Sequence, residues 1–459
     1  MANFKFMEKI AEINVKHKVL FERISVILMF LSVSTTLYSQ LIMQNNFKIN
    51  VLVGTPILGI VTIFAIGKNK PKLTKTGVLI LVILEIIGVS YLVTSLQFKV
   101  IGYMAMALVF MIGLPIVQYL LATGEEGYIV NVLTKSILIS YILFFIFSLI
   151  CGAPLTSEQY RSLFSNPQGL ALYLIIVIPA FLYHIHRKEL SDFKKNLLFV
   201  GLISAVTMSI FTSSRTGMLT VAGELLVSII FDIITIFLNK ETKIKMSKNL
   251  VKQIIIRCII AIAVPAIMFF LFTTVKSKIE KQWPSIQIRV DEIQKSDKST
   301  TNAMSKFGKS LNRLDGNFGK EDINGVTSGR TYIWKSFIEN IGFKGHEKET
   351  KFVFSPTHHY KDPKTAHNVY IQVAYSAGII AGISYLLLVI VSGFKIIYWI
   401  YKTLRYKVNL SETEKITAYF TIGFAMMSLV EAAYFPFMGL PATMFLILLY
   451  PIIYKISEH

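Results

Sequence analysis

Charged side chains are scarce in this chain. Asp, Glu, Lys and Arg together make 16% of its 459 residues, while 53% are hydrophobic. A soluble particle of this size cannot hide that much apolar surface behind so few charges, so an ordinary globular domain is excluded and a bilayer must supply the apolar solvent. Cysteine is almost missing: only Cys151 and Cys258 occur. The first falls at the outer end of one hydrophobic run and the second near the inner end of another. Most of a bilayer lies between them, which excludes a disulfide framework. Acidic residues are outnumbered by basic ones, 27 to 47, and the net charge of +20 raises the question of nucleic acid. The distribution excludes that partner, because much of the basic charge sits in short segments between hydrophobic runs, where it encodes membrane orientation.

Long hydrophobic runs are what the chain has in plenty. Stretches near the roughly 20 residues that cross a bilayer recur along it. They predict spans at 24–43, 49–67, 77–96, 99–121, 133–151, 168–184, 196–212, 216–238, 253–275, 369–394, 413–431 and 438–454. The expected fold class is therefore all-α, a polytopic transmembrane helical bundle of about twelve spans with one large extracytoplasmic loop. It divides into a first membrane region over 1–275, the loop over 276–368 and a second membrane region over 369–459. The N-terminus is basic and runs into a full-length span with no small-residue cleavage site, so it reads as an uncleaved signal anchor. Phe6, Ile10 and Ile13 ahead of it share one helical face and suit the membrane surface.

Placing the N-terminus inside puts Lys68, Lys70, Lys72 and Lys75 inside, then Arg187, Lys188, Lys194 and Lys195. Lys240, Lys243, Lys245, Lys248 and Lys252 follow, and then Lys402, Arg405 and Lys407. The short outer connections carry little that is basic beyond Lys48, Lys99, Arg161 and Arg215. A multi-pass protein of the cell membrane with both termini cytoplasmic satisfies the positive-inside rule. Within the outer loop, Arg330 to Ile341 reads as an amphipathic helix with Ile333, Trp334, Phe337, Ile338 and Ile341 on one face. Ser328 can cap its start, and Gly342 and Gly345 follow its end.

Arginine is unusual on the outer side, where positive charge is otherwise depleted. Arg215 lies in a very short turn, Ser213 to Gly217, between two spans. It either anchors a helix end or presents a planar fork of donors to a phosphate oxygen. Arg161 and Arg330 sit in other outer segments, and a lipid-linked diphosphate would need several such forks together. His367, just before a long hydrophobic run, is the candidate for proton transfer, since imidazole changes charge near neutral pH. The competing reading is a histidine that caps the helix or bonds Asn368. His346, His358, His359 and Asp362 are near one another in sequence, but their irregular spacing matches no zinc pattern. Glu85 and Glu224 fall inside spans, where a hydrogen bond between helices accounts for them as well as a function does. Glu431, near the outer end of its span, is better placed to face a site. The outer segments contain no Asp-x-Asp pair. No metal and no cofactor is expected, and if glycosyl transfer happens here, arginines would neutralise the leaving diphosphate in place of a metal.

These segments resemble the O-antigen ligase and polymerase superfamily of bacterial envelope glycan assembly. SSRTG at 213–217 resembles the family's outer arginine turn, and GRTYIWKSFIENIGFKG at 329–345 its Arg-x-x-x-Trp segment leading to a glycine-rich turn. AHNVYIQVAYSAGIIAGISYLLL at 366–388 resembles its His-Asn helix start with paired glycines, here Gly378 and Gly382. SNPQGLALY at 165–173 is similar to its Asn-Pro-Asn stretch, with Gln168 in place of the second asparagine. Ser376 stands where the pattern has a glutamate.

The resemblance implies a glycosyltransferase that polymerises polyprenyl diphosphate-linked oligosaccharide repeat units into surface polysaccharide, such as capsule or exopolysaccharide. His367 would take the acceptor proton, Arg215 and Arg330 would stabilise the departing diphosphate, and Arg161, Asn368 and Glu431 would contact substrate. Its partners would be the lipid-linked oligosaccharide and membrane lipid, with a chain-length regulator and a flippase as companions. A ligase that moves finished glycan to a different acceptor has the same chemistry. A twelve-helix transporter fits less well, because the loop GKNKPKLTKTG at 67–77 has no basic-acidic signature and a long outer loop has no use there.

Overall fold

The computed structural model describes residues 2–42, 47–152, 160–164, 167–187, 189–238, 248–282, 330–348, 365–407, 409–432 and 439–455. It is all-α as expected, 83% helical with almost no strand. The first helices are α1 (Ala2–Lys16), α2 (Lys18–Ile42), α3 (Phe47–Ala65) and α4 (Lys75–Phe98). The next span joins α5 (Ile101–Leu108) to α6 (Leu114–Thr123) through one π-helical turn, Val109–Gly113. Then come α7 (Tyr128–Cys151), α8 (Pro167–His186), α9 (Asp192–Phe211) and α10 (Arg215–Leu238). After them, α11 (Lys248–Phe270) continues through a π turn into α12 (Lys276–Gln282). Beyond α13 (Arg330–Glu339), the amphipathic helix of the long loop, lie α14 (Val369–Ala377), α15 (Ile379–Tyr406), α16 (Glu412–Ser428), α17 (Leu440–Ile447) and α18 (Tyr450–Ile453). Among the described residues, 8 helices are long and apolar enough to cross a membrane, with Val53–Ala65 and Leu440–Ile453 as shorter apolar helices. Ser328, His358, His359, Asp362, Lys188, Lys240, Lys243, Lys245 and most of the 276–368 loop lie outside the described residues.

The bundle is built around α8. Pro167 opens this helix, where a missing N–H costs no hydrogen bond. It is buried over 83% of its apolar window, against 33–44% for α4, α7, α9 and α10, whose remaining faces are apolar and point outward. That contrast marks α8 as the hub and the others as a ring facing lipid. Small residues set the closest approaches. A Cβ on Gly217 would meet Ala171 Cβ at 2.7 Å, so α10 lies directly against α8 near their starts. A Cβ on Gly423 would come within 2.3 Å of Glu224 Oε1, so this α16 glycine makes room for the fully buried Glu224 carboxyl.

The basic loops gather at one end of the bundle. Lys72 and Leu73 pair antiparallel with Lys455 and Tyr454, tying the loop before α4 to the C-terminal segment. Asn14 Nδ2 donates to the carbonyls of Ile63 and Ile66, and Lys18 pairs with Glu125. Arg187 Nη1 donates to Asn131 Oδ1 at 3.1 Å at the far end of α8. Since α8 has 20 residues, its two ends are about 30 Å apart, the thickness of a bilayer core. Residues at the start of α8 therefore face the opposite side from this basic cluster.

Two sequence expectations change here. The run expected as one span over 369–394 is broken at Gly378, which has φ +97° and lies outside helical space. A Cβ on Gly382 would meet Ala374 Cβ at 2.4 Å and the Tyr370 carbonyl at 2.8 Å. In one continuous helix, residues 370 and 382 would be about 18 Å apart along the axis. The short helix α14 is thus folded back along α15, and only α15 crosses the bundle. The amphipathic helix is present as α13, but not all of its expected face is covered. Ile333 and Phe337 are buried against Ala366 and Tyr375, while Ile338 stays exposed.

Candidate active site

At the end of the bundle away from the basic cluster, the starts of α8, α10, α13 and α14 converge. The turn from α9 into α10 is held by Ser214, whose N–H donates to Thr212 Oγ1 and whose Oγ accepts from the Gly217 N–H. Ser213 in that turn has φ +52°. The neighbouring turn, 160–164, is fastened to it by the Tyr160 N–H donating to the Phe211 carbonyl at 3.0 Å. Its Ser162 has φ +53° and donates through Oγ to Ser148 Oγ at 2.6 Å. Burial raises the Tyr160 phenol above its ordinary pKa, so it stays protonated as a packing group. Arg161 and Arg215 therefore stand on two adjoining turns.

Arg330, the first residue of α13, ties these turns to the rest. Its Nη1 donates to Thr216 Oγ1 at 3.5 Å, and its Nη2 to Gln168 Oε1 at 3.3 Å and Glu431 Oε1 at 3.0 Å. Both charged partners are largely buried, with side chains 17% and 13% exposed. On the other side of the same carboxylate, His367 Nδ1 lies 3.6 Å from Glu431 Oε1. That nitrogen is covered and has no hydrogen-bond partner among the described residues. The side chain as a whole is 38% exposed although Nδ1 is covered.

His367 is held in the left-handed region, with φ +48°. The segment is fixed on both sides: the Ala366 N–H donates to Gln372 Oε1 at 2.7 Å, and Asn368 caps α14 by accepting from the Ile371 N–H. Asn368 Nδ2 donates to the Leu429 carbonyl at 2.9 Å, which fastens the start of α14 to the end of α16, where Glu431 follows. The helix cap is therefore Asn368, whose amide is committed to protein on both sides, and not His367. Three of the described non-glycine residues with positive φ, Ser162, Ser213 and His367, cluster in the turns around this site. The others, Lys99 and Lys407, close helix C-termini. Left-handed backbone at non-glycine residues costs energy and is retained where the surroundings fix it, which directs attention to these turns as functional.

The electrostatics suit an anion. The N-termini of α8, α10, α13 and α14 all open toward this cluster, and each presents the positive end of its dipole. Among the described residues no group of three or more His, Cys, Asp and Glu side chains is placed to hold a metal ion. His346 has a packing role: its ring stacks on Tyr375 at 4.1 Å and its Nδ1 lies 2.9 Å from the Tyr375 carbonyl oxygen.

Of the residues singled out in the sequence, Arg330, His367 and Glu431 meet directly, Asn368 supports them from behind, and Arg161 and Arg215 flank them. Sequence reasoning missed Thr216 and the contact made by Gln168. The signal for both was proximity to motif residues, since Thr216 follows Arg215 and Gln168 stands in the Asn-Pro-Asn-like stretch.

No curated protein and no solved structure matches the chain. A family model described as O-antigen ligase matches residues 199–386, a segment that contains Arg215, Arg330 and His367. The match indicates a membrane enzyme of the ligase or polymerase type and supports placing this chain in the O-antigen ligase and polymerase superfamily.

Proposed function

We propose that this protein polymerises lipid-linked oligosaccharide repeat units on the extracytoplasmic face of the cell membrane. The observation that carries the reading is the shared carboxylate of Glu431, with Arg330 on one side and His367 on the other, set among four helix N-termini. In this reading the basic end of the bundle is cytoplasmic, as the positive-inside rule requires, and the cluster lies outside.

The accessible edge of His367 takes the proton from an acceptor hydroxyl, and Glu431 behind Nδ1 orients the ring and stabilises the imidazolium. The acceptor oxygen forms a bond to the anomeric carbon of the donor glycan while the bond from that carbon to the diphosphate oxygen breaks. The diphosphate leaves with the bonding electron pair, still attached to its polyprenyl chain. Arg215 and the helix N-termini meet its charge. Arg330 acts chiefly as a positioning residue, because its guanidinium is engaged by Glu431, Gln168 and Thr216. A single displacement of this kind inverts the anomeric centre.

Deleting the protein and resolving surface glycan on a gel tests the reading. Loss of the long-chain ladder with a single repeat still attached to its final acceptor supports polymerisation. A ladder retained on carrier lipid identifies a ligase instead, and a normal ladder rejects both.

A further inference from the structure

A groove of about 540 Å³ runs along the outward face of α4, lined from Leu73 near one end of that helix to Thr94 near the other. Those residues are about 30 Å apart along the axis, which matches a hydrocarbon core. Its length and its mostly apolar lining suit a hydrocarbon chain laid along α4. Val82, Ile86 and Val89 form its apolar floor, and Phe343, Lys344 and Ile380 frame its mouth at the end that carries the active site. Glu85 in the wall disfavours an anion at mid-depth. Among the described residues that line the groove, Lys344 is the one basic group for a negative headgroup.

The mouth is rigidly built. The Ile379 N–H donates to the Gly342 carbonyl at 3.1 Å. A Cβ on Gly345 would lie 1.9 Å from the Ser376 carbonyl oxygen, and one on Gly378 would lie 2.2 Å from that of Phe343. The chain from 342 to 345 is thus pressed, backbone to backbone, into the break between α14 and α15. Both α13 and α14 start at the catalytic cluster and end at this mouth. With ten residues in α13, the two places are about 15 Å apart.

That separation decides which molecule fits. The donor's diphosphate must lie at the reacting carbon, beside Arg215 and the helix N-termini. A diphosphate at Lys344 is too far away to be the leaving group. It belongs to a molecule whose reacting hydroxyl is several sugars from its own headgroup. We infer that the α4 groove binds the polyprenyl tail of the acceptor, a second lipid-linked repeat unit, with its diphosphate at Lys344. This inference rests on the polymerase reading above.

The test compares one acceptor oligosaccharide in two forms, linked to polyprenyl diphosphate and free of lipid, using reconstituted full-length protein and a constant donor. The wild type should show a KM for the lipid-linked form at least tenfold lower. Ile86→Trp and Val89→Trp, which fill the groove, should raise that KM to the lipid-free value while turnover of the lipid-free acceptor is unchanged, which also shows that the variants fold. Lys344→Ala should raise KM for the lipid-linked acceptor alone. If both tryptophan variants keep the wild-type preference, the groove is not the acceptor site although the activity stands. The same conclusion follows if a photoreactive side chain at Val82 captures only bulk phospholipid when the lipid-linked acceptor is present. If the wild type elongates neither acceptor, the polymerase reading itself fails.

Discussion

Arg330 and His367 approach the same oxygen of Glu431, at 3.0 and 3.6 Å. One carboxylate thus balances a fixed cation and stands behind a ring that becomes cationic when it takes a proton. Glu431→Gln separates these duties, because glutamine keeps an oxygen for Arg330 but loses the charge that favours the imidazolium. Turnover should fall about a hundredfold with KM little changed, a size typical of lost proton-transfer assistance. Glu431→Ala should in addition lower thermal stability, since it leaves the Arg330 charge without a counter-ion. A glutamine variant with wild-type turnover would remove Glu431 from the mechanism.

Lysine substitution tests both outer arginines. At Arg330, a single ammonium cannot reach Thr216, Gln168 and Glu431 together, so Arg330→Lys should lose most activity and some stability. At Arg215 the loss should appear in activity, because in the proposed mechanism that guanidinium meets the departing diphosphate. Steady-state rates and melting curves of the purified variants check both. Near-normal activity in Arg215→Lys favours simple anchoring of the helix end.

The helices were legible in the sequence because a bilayer forces their length and polarity, so long apolar runs map onto them. Arg330, His367 and Glu431 were legible because charge at the outer ends of spans is rare. Their shared contact was not, since residues 330, 367 and 431 come from separate elements and only packing around α8 brings them together. The break at Gly378 was hidden for another reason. Glycine is common in membrane helices, and nothing local distinguishes a tolerated glycine from one at φ +97° with a carbonyl 2.2 Å from its missing Cβ.

That glycine is itself a test of the folded-back helix. Gly378→Ala meets both an unfavourable φ and the Phe343 carbonyl, and should cost about 1–3 kcal/mol. The melting temperature in detergent should drop, and activity with it, because α14 carries the cap next to His367. A neutral substitution would mean that α14 and α15 form one helix.

Sidedness can be measured directly. Reporter fusions after Lys72, after Lys194 and at the C-terminus should report cytoplasm, and a fusion at Asn302 should report the outside. A cytoplasmic signal at Asn302 would put the whole cluster in the wrong compartment for surface glycan assembly.

His367→Asn separates a general base from a structural histidine more cleanly than other substitutions. Asparagine tolerates the left-handed backbone that position 367 requires, so the turn should survive. The helix cap is unaffected, because Asn368 supplies it. What asparagine cannot do is accept a proton near neutral pH, and removal of a general base typically costs roughly 10²–10⁴-fold in rate. The variant should therefore insert and melt like the wild type, bind lipid-linked donor normally and fail to extend it. If purified His367→Asn polymerises at more than about a tenth of the wild-type rate, the histidine is not the base. Proton removal would then pass to Glu431, whose carboxylate lies 3.6 Å from the same ring, and the double variant with Glu431→Gln would show whether the two share the task.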